Sequence, residues 1–305
     1  MHATALPLSV TMAVLAASVT HATWNAIAHG IKDQVLAFGL IGAGGAAVAV
    51  PLAVLSPLPL GACWPYLLAS VFIHVFYNLL LMRAYRYGDF GQVYPLARGT
   101  SPLVVTVLAA VFAAERPSSF QVLGVMVISS GLAVLVLAGR RSAAGSGLSR
   151  AALLAAGGTG LTIAAYTTVD GLGVRLSGSS VGYIGWLMLL QSLCVPAWAL
   201  VRRRDTVRGL SARVWLSGVL AGALSVLAYG LVLWAQTRGA LAPIAALRET
   251  SVIIGAVIGT LVFHEPFGRW RIAATVLVVL GVLLLNVVVL PAARQGLQGQ
   301  VAGVT

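Results

Sequence analysis

Four charged side chains lie well inside long apolar runs of the sequence: Arg98, Asp170, Arg248 and Glu249. A charge at the centre of a bilayer costs at least about 2.5–3.5 kcal/mol, so such groups are retained for a reason. Arginine can hold a carboxylate or a phosphate through two parallel hydrogen bonds. The two arginines are therefore candidates for binding an anionic solute. The alternative is that they only pair with Asp170 and Glu249, and the sequence does not decide between these interpretations.

The four charges sum to zero, which indicates two ion pairs or one network around a wet cavity. Asp170 and Glu249 could instead bind and release a proton, and so couple solute movement to a proton gradient. Permanent pairing with arginine would prevent that cycle, and it is the interpretation that we prefer for both carboxylates.

Helical spacing places further polar groups on shared faces, because residues four apart in a helix point the same way. The polar face of a spanning helix points into the bundle rather than at lipid. We therefore expect the following side chains to line a solute site with the two arginines: His21, Trp24, Asn25, His74, Tyr77, Asn78, Tyr94, Tyr166 and Tyr229. For each histidine the alternative is a neutral ring bonded to a neighbouring helix. No His or Cys cluster indicates a metal site, and no cofactor is expected.

These residues require helices within a membrane to position them. Hydrophobic residues make up 59% of the 305-residue chain and charged residues only 9%, with a mean hydropathy of +0.97. A soluble domain carries about 25% charged residues. A spanning helix needs about 20 apolar residues. The sequence predicts an all-α integral-membrane fold with ten transmembrane helices, at 9–28, 35–55, 65–82, 93–113, 120–139, 151–171, 181–201, 214–234, 241–263 and 270–290.

The net charge of +12 comes from arginines that fall between the apolar runs, which argues against nucleic-acid binding. Loops after odd-numbered helices hold 13 Lys or Arg residues, whereas the other loops and the tail hold four. The positive-inside rule then places both termini outside the cytoplasm. The predicted location is the cell (inner) membrane.

The chain also repeats itself. The segment Tyr94–Ser101 aligns with Ile244–Ser251 at an offset of 150, so that Arg98 matches Arg248, and Glu115 matches Glu265. Five helices is an odd number, so the second copy would enter the membrane from the opposite side. The sequence thus predicts two inverted five-helix repeats, 9–139 and 151–290, around a central cavity, followed by a mobile tail at 291–305.

Both matched glutamates precede a proline within two residues. We expect each to cap the start of the helix that follows it.

Several motifs resemble the drug/metabolite transporter superfamily, EamA type. They are His21-Ala-Thr-Trp-Asn25, Tyr94-Pro-Leu-Ala-Arg98-Gly-Thr-Ser-Pro102, Glu115-Arg116-Pro117, Ala246-Leu-Arg248-Glu-Thr-Ser251 and His264-Glu265-Pro266. The resemblance implies ten helices in two EamA repeats, a central cavity, and movement of metabolites, often as efflux. Many relatives are thought to keep both termini in the cytoplasm, which is opposite to the loop charge of this chain.

The expected function is secondary transport, as an exporter, of a small polar metabolite with an anionic group, by alternating access between the repeats. The chain has no GxxxxGK[ST] motif, so ATP drive is not indicated. It also has no HExxH, and we do not expect an enzyme. The alternatives are a receptor or assembly factor that transports nothing and, less favoured, an integral-membrane enzyme. The expected partners are the solute and the lipid bilayer. Solute identity, coupling ion, direction, and monomer or homodimer state are left open.

Overall fold

The computed structural model describes residues 6–87, 90–99, 101–142, 149–264 and 269–287. These residues form α-helices and one short 3₁₀ helix, Gly61–Cys63, with no strand among them. The helices, numbered in chain order, are α1 (Leu8–Gly30), α2 (Gln34–Leu55), α3 (Trp64–Tyr87), α4 (Phe90–Gly99), α5 (Ser101–Phe112), α6 (Ser119–Ser142), α7 (Arg150–Arg175), α8 (Ser180–Arg202), α9 (Arg204–Arg208), α10 (Ala212–Gln236), α11 (Leu241–Arg248), α12 (Ser251–Leu261) and α13 (Arg269–Val287). The all-α part of the prediction is confirmed, and the predicted tail at 291–305 lies outside the described residues.

Seven segments of the described chain are long and apolar enough to cross a membrane: Gln34–Leu55, Gly61–Tyr87, Val93–Phe112, Arg150–Arg175, Ser180–Arg202, Ala212–Gln236 and Leu241–Leu261. Shorter apolar stretches occur in α6, at Ser119–Val134, and in α13, at Ile272–Leu285. Many large apolar side chains on these helices are exposed, as a hydrocarbon solvent requires.

The apolar runs at 93–113 and 241–263 were each predicted as one continuous helix, and the structure divides the second between Arg248 and Ser251. In the first run the described helices are α4, to Gly99, and α5, from Ser101, and position 100 lies outside the described residues. Pro102 has no amide hydrogen to donate to the carbonyl of Arg98, and the Ser101 hydroxyl donates to that carbonyl instead, at 3.1 Å.

The break between α11 and α12 has no proline. The amide of Glu249 donates to the carbonyl of Ala246, and that of Thr250 donates to Leu247, so α11 ends in a 3₁₀-type turn. The carbonyl of Arg248 accepts a hydrogen bond from Ser18 Oγ of α1 at 3.2 Å. The break therefore falls next to the second of the matched arginines.

Contacts between the two repeats occur in equivalent pairs: where a helix of the first repeat packs on a helix of the second, their counterparts pack on each other as well. Helix α2 packs against its counterpart α8, and α6 packs against its counterpart α13. Helix α1 packs against α10, just as its counterpart α7 packs against α3, the counterpart of α10. The interface between the repeats is thus built from equivalent helices of each, and it positions the central cavity.

Two glycines one turn apart bring α10 close to α2. A Cβ atom added to Gly218 would lie 2.3 Å from Leu40 Cβ, and one added to Gly222 would lie 2.3 Å from the carbonyl oxygen of Ile41. Small residues at such crossings let helix backbones approach each other.

The prediction that Glu115 caps the helix after it is wrong. Its carboxylate accepts the amide of Leu241 at 2.9 Å and pairs with Arg175 at 3.2 Å, so it caps α11 in the other repeat. Helix α6 is capped by Ser118, whose side chain accepts from the amide of Gln121 while Gln121 Oε1 accepts from the amide of Ser118. The reciprocal pair leaves Glu115 free to bridge the repeats. Its match, Glu265, lies outside the described residues.

Candidate functional site

A cavity with about 650 Å³ of empty space, part of it open to solvent, lies between the two repeats, with walls from α1, α2 and α3 on one side and from α7, α8 and α10 on the other. Seven of the predicted site residues line it: His21, Trp24, His74, Tyr77, Asn78, Tyr166 and Tyr229. Among the described residues, no Asp, Glu, Lys or Arg side chain lines the cavity. Its surface is therefore aromatic and uncharged, with hydrogen-bonding groups at a few points.

Four aromatic rings form the wall where α3, α7 and α10 meet. The His74 ring stacks on Tyr166 with centroids 4.0 Å apart, and Tyr229 packs edge-on against both. Tyr77 meets Tyr166 edge-on at 5.4 Å. His74 Nδ1 lies 3.0 Å from the Ser70 carbonyl, which can only accept, so this nitrogen carries the proton and Nε2 is a hydrogen-bond acceptor. The polar partner of His74 lies on its own helix, not on a neighbouring one.

Arg98 does not line the cavity. Its Nε and Nη2 donate to the two carboxylate oxygens of Glu249 at 3.0 and 2.9 Å, and its Nη1 donates to His21 Nε2 at 2.8 Å. The guanidinium is 1% exposed, and all three of its nitrogens have partners. The bidentate ion pair joins α4 of one repeat to the break between α11 and α12 of the other.

The bond from Arg98 fixes the tautomer of His21. Arginine has no acceptor atom, so His21 Nε2 accepts and the proton of the neutral ring is on Nδ1. The Trp24 indole N–H is directed at His21 Nδ1 at 3.3 Å, and a ring with its proton on Nδ1 cannot accept that hydrogen bond. The 2.8 Å bond from Arg98 is the shorter of the two contacts, so the indole N–H at the cavity wall is left for another acceptor, such as a solute oxygen.

Arg248 is as deeply buried as Arg98 but is bound differently. Its Nη2 donates to Thr167 Oγ1 at 3.4 Å, and its Nε has no hydrogen-bond partner in the described part of the chain. No carboxylate among the described residues lies within ion-pair distance of it. The four charges were expected to form two ion pairs or one network, and the described residues hold one buried ion pair, because Glu249 turns to Arg98 across the repeat interface.

Asp170 is held by hydroxyl groups instead of an arginine. One carboxylate oxygen accepts from Tyr183 at 2.9 Å and the other accepts from Tyr229 at 2.5 Å, with Ser70 as a further donor. Asp170 is fully buried, and Tyr229 separates it from the cavity that this tyrosine lines.

Asn25 and Tyr94 also lie behind the cavity wall. The Asn25 amide donates to the carbonyl of His21 at 2.8 Å and accepts from Tyr85 at 2.8 Å, which ties α1 to α3. The Tyr94 ring stacks on Phe90 with centroids 5.0 Å apart. Asn25 and Tyr94 therefore support the site from outside the cavity.

The structure adds lining residues that the sequence did not single out as site residues: Phe38, Ile41, Gly42, Gly45, Met188, Gln191, Ser192, Val195, Gly222, Ser225 and Val226. Ser225 lies four residues before Tyr229, a spacing that indicates a shared face. Gln191 and Ser192 are polar residues within the apolar run of α8. Their polarity at these positions was the sequence signal that could have identified them as site residues.

The model of the EamA-like transporter family matches residues 7–137 and 150–287, once for each repeat. A solved structure described as "Crystal structure of protein" aligns with a TM-score of 0.70 and 17% identity, over 92% of this chain and 98% of that chain. At that identity the likeness shows the fold alone. The search of curated proteins found no match. Since the family match covers nearly all of the described residues, the chain belongs to the EamA-like transporter family and so to the drug/metabolite transporter superfamily of multi-pass membrane proteins.

Proposed function

We propose that the protein is a secondary transporter that exports a small polar solute by alternating access between two inverted repeats. The observation that carries the proposal is the 650 Å³ cavity, whose walls come from equivalent helices of both repeats. A site at such an interface opens to one side of the membrane or the other as the repeats move against each other.

Ten spanning helices follow if α1, α6 and α13 join the seven long apolar segments. Helix α1 has 23 residues and α6 has 24, enough for a span of about 20. The helix pairs α4–α5 and α11–α12 each count as one span. Five spans per repeat make the second repeat inverted, and the exchanged packing of α1–α10 and α7–α3 supports this arrangement.

The solute, in this proposal, presents an oxygen acceptor such as a carboxylate to the two N–H groups of His21 and Trp24. Of the two interpretations left open for Arg98, anion binding and pairing with a carboxylate, its contacts fit the second. They support an indirect role, in which the bond from Arg98 to Nε2 keeps the proton of His21 on Nδ1, where a solute oxygen could accept it. Arg248, which has no carboxylate partner among the described residues, supplies positive charge behind the same cavity.

Proton coupling rests on Asp170 in this proposal. Glu249 is committed to Arg98 through two hydrogen bonds, whereas Asp170 is held by neutral hydroxyls that can also donate to or accept from a protonated carboxyl. Tyr229 connects Asp170 to the cavity. Binding of a solute in the cavity and binding of a proton by Asp170 are therefore coupled in this proposal.

The loop charges support an inner-membrane topology with both termini outside the cytoplasm. Fusions of alkaline phosphatase and of green fluorescent protein to the C-terminus test it. We expect phosphatase activity without fluorescence, and fluorescence without phosphatase activity would place this end in the cytoplasm.

Flux measurement tests the proposal itself. The purified chain is reconstituted in liposomes, and counterflow is measured for a panel of neutral, zwitterionic, carboxylated and cationic metabolites. We expect saturable counterflow for carboxylate-bearing solutes. No flux for any member, by a chain that keeps its helical circular dichroism, would favour a receptor or assembly factor.

A further inference from the structure

A second groove lies on the outside of the bundle, where α2, α8 and α10 meet the short helix α9. It has a volume of about 350 Å³, and its lining is entirely apolar. Leu200 and Trp215, at the outer edge of the groove, are 55% and 38% exposed. The deeper surface comes from Leu36, Leu40 and Pro196. In a membrane protein such a groove faces hydrocarbon, so its occupant must carry an apolar chain.

Several arginines lie in the chain segment between the groove-lining residues Leu200 and Trp215, at one end of the groove. Residues 202–213 contain five of them against one acidic residue, Asp205. The groove-lining Val207 is followed by Arg208, and the groove-lining Trp215 lies two residues after Arg213. Both of these arginines are exposed.

Only one arginine near this end is neutralised by an ion pair in the described residues. Arg203 Nε bonds to Asp33 Oδ2 at 2.7 Å, a half-exposed pair between α2 and the turn after α8. Arg202, Arg208 and Arg213 have no such partner there. The end of the groove therefore carries positive charge that an anionic group can neutralise.

We propose that this groove binds one anionic phospholipid, with an acyl chain along α2 and α8 and the headgroup phosphate at Arg208 and Arg213. Basic side chains beside a spanning helix attract anionic headgroups, and tryptophan prefers the headgroup level, where Trp215 lies at the start of α10. The groove is separate from the solute cavity, since the two share no lining residue. The proposal depends on membrane insertion and not on the identity of the solute.

Lipid binding to the purified full chain tests the proposal. The protein in dodecyl maltoside is titrated with phosphatidylglycerol, with phosphatidylcholine of the same acyl chains, and with inorganic phosphate. Bound lipid is counted by native mass spectrometry, and Tm is followed by light scattering. We expect one retained phosphatidylglycerol and a higher Tm, with little effect of the other two probes.

The double variant Arg208→Gln, Arg213→Gln should bind phosphatidylglycerol about 30-fold more weakly, since each arginine near an anionic headgroup contributes roughly a factor of five. The matched control is Arg83→Gln, Arg86→Gln, which removes the same charge from exposed positions at the end of α3 and should bind normally. Ala43→Phe, which keeps the arginines but fills the groove, should also lose the retained lipid.

Equal weakening in the control variant would mean that the net charge of the protein is responsible, and would overturn the site. Normal binding by the Arg208, Arg213 variant would overturn it as well. A Tm rise with inorganic phosphate alone would show an ion site without an acyl chain. Circular dichroism without lipid establishes that each variant is folded before it is scored.

Discussion

The guanidinium of Arg98 and the carboxylate of Glu249 meet in a bidentate ion pair at 2.9 and 3.0 Å, buried between the two repeats. Arg98 lies in α4, and Glu249 lies in the break between α11 and α12. A single pair thus joins α4 of one repeat to the point where the helix of the other repeat is interrupted. It also positions His21 at the cavity, through the third nitrogen of the guanidinium.

Breaking this pair should destabilise the protein strongly, because one partner leaves the other as an unpaired buried charge. Arg98→Gln or Glu249→Gln alone should each lower the free energy of unfolding by about 3–5 kcal/mol. The double variant should recover much of that loss. Thermal unfolding in detergent measures the effect, with Arg175→Gln as the control, since the Arg175–Glu115 pair is more exposed.

The same variants separate a structural role from a functional one. We expect the double variant to fold but not to transport, because His21 loses the donor that holds its tautomer. Normal counterflow by a folded double variant would show that the ion pair only joins the helices. This outcome would remove Arg98 from the mechanism.

The pairing of Arg98 with Glu249 illustrates what the sequence could and could not predict. Arg98 and Arg248 align in one register of the internal repeat, and the structure buries both. The choice of partner was not predictable, because Glu249 follows Arg248 in the chain but bonds across the interface to Arg98. The break between α11 and α12 was not predictable either, because no proline or glycine occupies positions 249 and 250.

Helical spacing predicted part of the cavity lining. His74 and Asn78 are four residues apart, with Tyr77 adjacent, and all three line the cavity. Gln191 and Ser192 were missed because neither belongs to a row of polar residues along one face of α8. A single polar residue in an apolar helix can equally well face a neighbouring helix and contribute to packing. Whether an inward-facing residue reaches the cavity or lies behind it, as Asn25 does, depends on helix rotation, which the sequence alone does not specify.

Trp24→Phe tests the two-donor arrangement directly. The change keeps a six-membered aromatic ring at the cavity wall and removes the indole N–H together with the five-membered ring that carries it. Loss of one hydrogen bond to a solute oxygen costs about 1.5 kcal/mol, so KM for a transported carboxylate should rise about tenfold with little change in maximal rate. Concentration-dependent counterflow in proteoliposomes measures it.

Trp198→Phe is the matched control for that change, because Trp198 is 39% exposed and does not line the cavity. Its KM should equal that of the unmodified protein. An unchanged KM in Trp24→Phe would rule out the indole as a donor to the solute.

The close packing of α10 on α2 makes Gly222 sensitive to any added side chain. Gly222→Val should lower the free energy of unfolding by about 1–3 kcal/mol, because even a Cβ would lie 2.3 Å from the carbonyl oxygen of Ile41. Gly157→Ala in α7 is the control. Nothing lies within 4 Å of a Cβ at Gly157, so this change should leave stability equal or raise it by up to about 1 kcal/mol. Equal thermal midpoints for the two variants would contradict the observed helix crossing.

Asp170→Asn tests proton coupling separately from solute binding. The amide has nearly the shape of the carboxyl group but cannot take up a proton. Its oxygen can still accept from one of the two tyrosines, and its NH2 can donate to the hydroxyl oxygen of the other. We expect counterflow, which needs no driving force, to continue in this variant, whereas accumulation driven by an imposed pH gradient should be lost.

Tyr183→Phe is the control, because it removes one donor to Asp170 from a residue that does not line the cavity, and it should keep gradient-driven accumulation. Gradient-driven accumulation by Asp170→Asn at the normal level would exclude this carboxylate as the proton carrier. The carboxylate would then serve, like Glu249, to hold helices together.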